Sequence, residues 1–301
     1  MHSVSSTRSG RKGASVVSAD NESRVTYKEI IEEAGISHVA CQRVCEDALR
    51  GCGVGFRSPR KKIQLSDEDA KKRLETAKKW VKYRKSFWSM KTYVDNKAFP
   101  VPLTPAQRKR FRQTLITGHL RKASEGVDRG FTKPHEKHSF IGIPSVTITA
   151  AVAKDKVIMW HIVEGSWNGA AAARMYEDHL KPALQRTWGK RALYHIVEDG
   201  DRKGNTSGKG ISSKARAKIV AMTLPPRTPS LMPLDYAIWH KITTQVIDDA
   251  PAGTETRAAF LNRLKDIAYG LPKGYVMSTI NRMRGNLQAL IEARGYTPKN
   301  D

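Results

Sequence analysis

Tyr194-His195-Ile196-Val197-Glu198-Asp199-Gly200-Asp201 is an apolar run that ends in acid. Downstream, Leu224-Pro225-Pro226-Arg227-Thr228-Pro229-Ser230-Leu231-Met232-Pro233-Leu234-Asp235 is a proline-stiffened segment that also ends in acid and leads into the apolar Tyr236-Ala237-Ile238-Trp239. Between them Arg202, Lys203, Lys209, Lys214, Arg216 and Lys218 stand without one acid and are suited to holding a phosphate backbone. The pattern predicts a short strand before Asp199 and a helix whose first turn holds Asp235, so both carboxylates have rigid mounts. Magnesium takes hard oxygen ligands in near-octahedral geometry and keeps several waters, so a few carboxylates from separate elements hold it while substrate phosphate fills the rest. Two such ions clamp the attacking and leaving oxygens of an in-line displacement at phosphorus. Taken singly, each acid is equally well explained by turn chemistry or by the helix dipole.

With 301 residues the chain has room for about two domains. Lysine and arginine outnumber acids 53 to 29, a net charge of +24 with a pI near 10.1. That imbalance is the electrostatic footprint of a nucleic-acid binder, although charge alone does not separate DNA from RNA. RNA-binding surfaces interleave aromatic stacking platforms with their cations, and these basic runs hold few aromatics. No apolar run approaches the roughly 18 residues of a membrane span, and residues 1–20 lack the apolar segment of a secretory signal, so no membrane partner is expected. Cys41, Cys45 and Cys52 are too few and too clustered for a disulfide framework, which fits a reducing compartment.

Residues 1–21 offer almost nothing to bury and read as a flexible basic arm, with Arg11 and Lys12 suited to a minor groove. Residues 22–56 read as a helix-turn-helix: Tyr27, Ile30, Ile31 and Ala34 share a face, Gly35 stops the first helix, and Ser37 caps a second. Such a motif aims Ser37, His38, Gln42 and Arg43 at base edges; a plain helical hairpin shows the same pattern. Residues 57–86 form a basic linker with Arg60, Lys61 and Lys62, followed by a helix capped at Ser66 and running to about Tyr83. A third compact region spans 87–250, and 251–301 is helical. Within 103–138 the cluster Arg108, Lys109, Arg110 marks a basic insertion, with a helix near Pro105 to Leu120. Ser145 to Ile162 reads as a two-stranded hairpin and Asn168 to Trp188 as an amphipathic helix. The run from Gly204 to Gly210 is one residue too short between its glycines for a phosphate-binding P-loop and carries no Ser or Thr after Lys209.

The strand-acid, basic spacer and Pro-Pro-x-x-Pro-x-Leu-x-Pro-x-acid-x-x-x-Trp string resembles the catalytic core of mariner-type DDE/D transposases. Thirty-five residues separate Asp199 from Asp235, close to that family's spacing. Ala77-Lys78-Lys79-Trp80 resembles the segment that precedes the family's first catalytic strand, which points to Phe87 to Val94 as that strand and to Asp95 as the first acid. A hairpin turn at Asp95-Asn96 is the local alternative. The sequence departs from the family at Gly200-Asp201-Arg202-Lys203, which leaves Asp201 as a rival to Asp199, and at Ser230 and Met232. Family members carry two helix-turn-helix units, and one is legible here.

The resemblance implies an α/β RNase H-like mixed sheet flanked by helices, preceded by a small all-α domain, with the C-terminal helices packed on the catalytic domain. It implies metal-dependent DNA strand cleavage and strand transfer, with Asp95, Asp199 and Asp235 holding two Mg²⁺ or Mn²⁺ ions. DNA contacts are expected at Arg11, Lys12, Ser37, His38, Gln42, Arg43, Arg60, Lys61, Lys62, Arg108, Lys109, Arg110, Arg202, Lys203 and Lys209. The expected partners are double-stranded DNA, as element ends and target, and a second copy of the chain. The implied location is the nucleus of a eukaryote, or otherwise the nucleoid. The competing reading is a sequence-specific DNA-binding protein that keeps the fold without the chemistry.

Overall fold

The computed structural model describes residues 42–57, 60–61, 65–115, 119–122, 132–133 and 142–298. These fall into two compact units, the smaller from within Met1–Gln64 and Arg110–Ser139, the larger from Leu65–Lys109 and Phe140–Asp301.

In the smaller unit the helix Gln42–Gly51 is followed by the strand Val54–Arg57, paired antiparallel with His119–Lys122, while Arg60–Lys61 pairs parallel with Thr132–Lys133. That helix falls where the second helix of the expected pair ends. The first helix lies outside the described residues, as do Ser37 and His38 at the expected start of the second, and Arg11, Lys12 and Lys62.

The larger unit is built on a five-stranded sheet. Its strands are β1 (Thr92–Pro100), β2 (Ser145–Ala153), β3 (Lys156–Val163), β4 (Tyr194–Glu198) and β5 (Ile219–Thr223), in the order β3-β2-β1-β4-β5. β1, β2 and β3 run antiparallel, whereas β4 is parallel to β1 and β5 to β4. This is the mixed sheet that the resemblance implied.

Alternation along the strands divides the core. Tyr93, Phe99, Ala150, Val152 and Val197 join one apolar cluster, and their neighbours Val94, Ala151, Ala153 and Ile196 join another. Successive strand residues point to opposite faces, so the two clusters are the two sides of the sheet. On the first side lie α1 (Asp67–Trp80), α2 (Lys85–Ser89) and, beyond α3 (Pro105–Leu115), the later helices. On the second lie α4 (Gly169–Arg174), the π-helical turn Met175–Leu180, α5 (Lys181–Trp188) and the end of α6 (Gly208–Arg216).

Local chemistry starts these helices where the sequence calls for it. Ser66 Oγ accepts from Asp69 N at α1, and Asn168 Oδ1 accepts from Ala170 N and Ala171 N at α4. The later helices are α7 (Trp239–Asp248), entered through the π-helical turn Leu234–Ile238, α8 (Arg257–Tyr269), α9 (Lys273–Asn281) and α10 (Met283–Glu292). They bury Leu264, Val276, Ile280, Leu287 and Leu290 against the first face, each such side chain contributing about 1.5–3 kcal/mol. At the far end, Tyr296 OH donates to Asp67 Oδ1 at 2.6 Å, so the last residues of the unit meet its first helix. Gly295, at φ +84°, lies so close to α1 that a Cβ would stand 1.9 Å from the Ala70 carbonyl oxygen. Among the described residues no helix is long and apolar enough to cross a membrane.

Four expectations are corrected. Phe87 belongs to helix α2, and the first strand begins at Thr92 rather than at Phe87. Asp95-Asn96 is no turn: β1 continues through it to Pro100, paired residue by residue with β2. The helix in the basic insertion does not reach Leu120, which lies in the strand His119–Lys122. The basic spacer contains α6 and β5, which its polar composition concealed.

Candidate active site

Asp95 sits in the middle of β1, and Asp199 follows the last residue of β4. The parallel pairs Thr92 with Ile196 and Tyr93 with Val197 set the register; continued by two residues, it brings 95 level with 199. Residues two apart on a strand share a face, so Asp95 lies with Tyr93, Lys97 and Phe99, on the side where Trp239 packs. Asp235 arrives from that side, in the π-helical turn ahead of α7. One helical turn further, the Trp239 Nε1 proton is donated to Asp95 Oδ2 at 2.7 Å. The proline segment, the acid and the tryptophan thus act together: the turn delivers Asp235 while Trp239 fixes Asp95.

Asp95 is half-buried, whereas Asp199 and Asp235 reach solvent. Burial, then the neighbouring Asp235, with Asp199 adding to it, holds the Asp95 carboxyl well above the usual carboxylate range. Burial also raises Asp235, to about 6, with the Asp199 charge adding and Lys97 and a hydrogen bond with Asp95 opposing. Asp199 is raised by burial and by Asp201. Lys97 is lowered by burial despite the attraction of Asp235 and Asp95. Asp95 and Asp235 therefore flank the half-buried Lys97, and the Asp199 charge acts on both carboxyls.

A divalent cation suits this donor set, because hard carboxylate oxygens in mutual repulsion are what Mg²⁺ or Mn²⁺ binds. Among the described residues no three acids, histidines or cysteines stand together at ligating spacing. Asp95 and Asp235 engage each other, and Asp199 accepts from Asn205 Nδ2.

The loop after Asp199 separates it from its rival. Asp201 Oδ2 accepts from Trp167 Nε1 at 3.0 Å and from Gly204 N at 2.7 Å, and Oδ1 from Lys203 N. Asp201 organises the turn and has little oxygen left for a metal. The glycines are steric: a Cβ on Gly204 would stand 2.2 Å from Trp167 Nε1, and one on Gly210 would stand 2.2 Å from the Gly204 carbonyl oxygen.

Behind the loop lies a network absent from the sequence expectations. Glu198, one residue before Asp199, points to the opposite face, where it is fully buried. It pairs with Lys214 Nζ and accepts from Tyr176 OH. Tyr176 OH also lies 3.1 Å from Asn205 Oδ1, and the other end of that amide donates to Asp199. Alternation at the strand end was the signal: of two consecutive acids, one must face inward and needs a buried cation.

The cations expected at DNA divide. Lys109, Arg202, Lys203 and Lys209 are exposed, and Arg110 is exposed on α3. Arg108 is a correction: it is 8 % exposed, and its guanidinium donates to the carbonyls of Leu103 and Gly253. Lys214 and Arg216 are also spent, on Glu198 and Glu177. Gln42, Arg43, Arg60 and Lys61 lie on described elements of the smaller unit.

No family model and no curated protein matches the chain in sequence. Solved structures do. The catalytic domain of Mos1 mariner transposase aligns over 78% of this chain and 97% of its own, at 12% identity and TM-score 0.57. The Mos1 transposase paired-end complex with left transposon end aligns over 99% and 82%, at 16% identity and TM-score 0.60. The chain has the mariner transposase fold. A further similar structure, of the Mos1 catalytic domain and Raltegravir with Mn, covers 78% of this chain at 12% identity and TM-score 0.58. The RNase H-like sheet carries Asp95 on β1 level with Asp199 after β4, and Asp235 lies in the helical turn before α7.

Proposed function

We propose that the protein is a cut-and-paste DNA transposase of the mariner type. The observation that carries this is the convergence of Asp95, Asp199 and Asp235 from three distant parts of the chain, each raised by burial and by a neighbouring carboxylate. The mariner fold, the net charge of +24 and similarity to a transposase solved with a transposon end support DNA as the substrate.

Asp95, Asp199 and Asp235 would hold two Mg²⁺ or Mn²⁺ ions, and the bound metal would activate the nucleophile and stabilise the leaving oxygen. Trp239 keeps the Asp95 carboxylate oriented, and Asn205 does the same for Asp199. In cleavage, a water oxygen bonds to phosphorus as the P–O3′ bond breaks; one water proton ends on O3′ and the other passes to solvent, leaving a 3′ hydroxyl and a 5′ phosphate. In transfer, that 3′ oxygen loses its proton and bonds to a target phosphorus as the target P–O3′ bond breaks, and the leaving target O3′ takes up a proton. Two copies would act together on paired ends, a reading supported by similarity to a Mos1 paired-end complex.

The engagement of Asp199 by Asn205 favours a second reading, a DNA-binding protein that keeps the fold without cleavage. Nicking of supercoiled plasmid with Mg²⁺ or Mn²⁺ separates the two. Cleavage by the wild type that is lost in Asp199→Ala and Asp235→Ala establishes the enzyme. Its absence from folded, DNA-binding wild type establishes the second reading.

A further inference from the structure

Asp199 is held by groups that answer to the far side of the sheet. Its carboxylate accepts from Asn205 Nδ2 and from the Asp201 backbone N–H, and Asn205 Nδ2 also lies 3.3 Å from the Asp199 carbonyl oxygen. A carboxylate offers about four acceptor sites, so two donors orient it and leave sites for a cation. Asn205 is 6 % exposed, and a buried amide needs a partner at each end.

Which end faces Asp199 follows from the neighbours. A carboxylate and a carbonyl oxygen both accept, so the NH2 end of Asn205 must face them and Oδ1 must face away. Oδ1 meets the Tyr176 hydroxyl at 3.1 Å. Burial, then the Glu198 charge, raises that hydroxyl well above the usual tyrosine range, so it keeps the proton an amide oxygen needs. A hydroxyl proton on one side and two acceptors on the other select one of the two ways the amide can lie.

Tyr176 is fully buried, in the π-helical turn Met175–Leu180, and turns of this kind recur at functional sites. Its single proton has two acceptors, Glu198 Oε2 and Asn205 Oδ1. Lys214 neutralises Glu198 through the other carboxylate oxygen. The buried charge is thus answered by the lysine, and the tyrosine adds a link from that pair to Asn205.

We propose that Tyr176 is a positioning residue for the carboxylate site: from the opposite face of the sheet, it fixes the Asn205 amide so that the NH2 end holds Asp199 in a metal-ligating orientation. The purpose rests on the metal-dependent reading above, whereas the link itself rests on the contacts alone.

The test measures Mn²⁺ binding to full-length protein without DNA, from the electron paramagnetic resonance of unbound Mn²⁺, well below the unfolding temperature. Tyr176→Phe should weaken binding about fivefold, the factor that one ordinary hydrogen bond commands. Asn205→Leu should weaken it about tenfold or more. Adding Tyr176→Phe to Asn205→Leu should then change the affinity by less than about twofold, because the link is already cut. Tyr194→Phe is the control for a merely structural loss. It removes the hydroxyl of another buried tyrosine on the same face, bonded to the Gly189 carbonyl, and should lower the thermal midpoint without moving Mn²⁺ affinity. Unchanged affinity in Tyr176→Phe, or full additivity in the double variant, would overturn the proposal. So would tighter binding in Asn205→Leu, which would make the amide a rival of the cation.

Metal-free protein supplies a second measurement. The Asn205 side-chain NH2 signal in a nitrogen–proton correlation spectrum, identified by its loss in Asn205→Leu, should shift in Asp199→Ala and in Tyr176→Phe alike. A signal indifferent to Tyr176→Phe would overturn the link. Wild type with no Mn²⁺ affinity would sink the metal reading instead, with the amide signal still deciding the link, so either can fail alone.

Discussion

Trp239 donates its indole proton to Asp95 across 144 residues of chain, at 2.7 Å. The contact ties the middle of the first strand to the helix that follows the last acid. Trp239 also packs edge-on against Phe99 and Trp160, so its ring is held independently of the hydrogen bond. Trp239→Phe should therefore keep the fold while freeing the Asp95 carboxylate. Loss of a partner that orients a metal ligand typically costs about 10–100-fold in metal affinity or activity. The Mn²⁺ concentration giving half-maximal plasmid nicking should rise by that factor, and an unchanged metal requirement would show that Trp239 only packs.

The acid cluster should oppose the fold at neutral pH. Asp235 has a folded pKa of about 6, against about 3.9 unfolded. Between those values the folded state holds a proton that the unfolded chain has released. The resulting stability is fully present below about pH 4 and is lost as pH rises through about 6. Asp235→Asn should melt higher than wild type at pH 7, with the advantage vanishing towards pH 4. Parallel melting curves across that window would contradict the assignment.

A divalent cation should relieve the same repulsion. Mg²⁺ or Mn²⁺ at millimolar concentration should raise the wild-type melting temperature at pH 7, and EDTA should reverse it. A ligand at 100 times its dissociation constant stabilises by about 2.7 kcal/mol, well within reach of a thermal scan. Asp95→Asn and Asp235→Asn should lose the response. An equal response in all three would place the ion elsewhere.

Asp199 and Asp201 should separate cleanly. Asp201→Ala removes the acceptor for Trp167, Gly204 and Lys203. At about 1 kcal/mol per hydrogen bond it should cost roughly 1–3 kcal/mol of stability by denaturant unfolding, with nicking retained by the folded fraction. Asp199→Ala should abolish nicking with little change in stability. The reverse pattern would exchange their roles.

The buried pair behind Asp199 should be costly to break and cheaper to replace. Removing one partner of a buried ion pair typically costs about 3–5 kcal/mol because the other charge is stranded. Lys214→Ala, which strands the fully buried Glu198, should fall in that range, and Glu198→Gln with Lys214→Met should cost markedly less. Chevron or equilibrium urea curves decide it.

Much of this fold can be read from residue order. The hairpin at 145–163, the capped helices at Ser66 and Asn168, and the strand ending at Glu198 each have a pattern of alternation or capping that local physics makes unambiguous. The boundary of β1 is less legible, because Phe87 and Trp88 are as apolar as the strand that follows. Their helical turn is set by packing on Trp80 and Tyr83, not by periodicity. α6 and β5 are obscured for a different reason: the lysines and glycines around them look like a linker until Glu198 is seen to bury Lys214 and Gly204 to seat Trp167. Of the site, Asp199 and Asp235 stand out through their flanking strand and prolines. Asp95 needs the resemblance, since a mid-strand acid is visible as functional only once β4 is laid beside it. Lys97 and Asn205 emerge only from the folded arrangement.

Tyr296 and Asp67 bring together the two ends of the larger unit. Its backbone is two stretches, Leu65–Lys109 and Phe140–Asp301, with Arg110–Ser139 of the smaller unit between them in the chain. Asp95 lies on the first stretch, and Asp199 and Asp235 lie on the second. The Tyr296–Asp67 contact is thus a clasp between the two stretches, helping to keep the acid-bearing elements in one body although the chain leaves it midway.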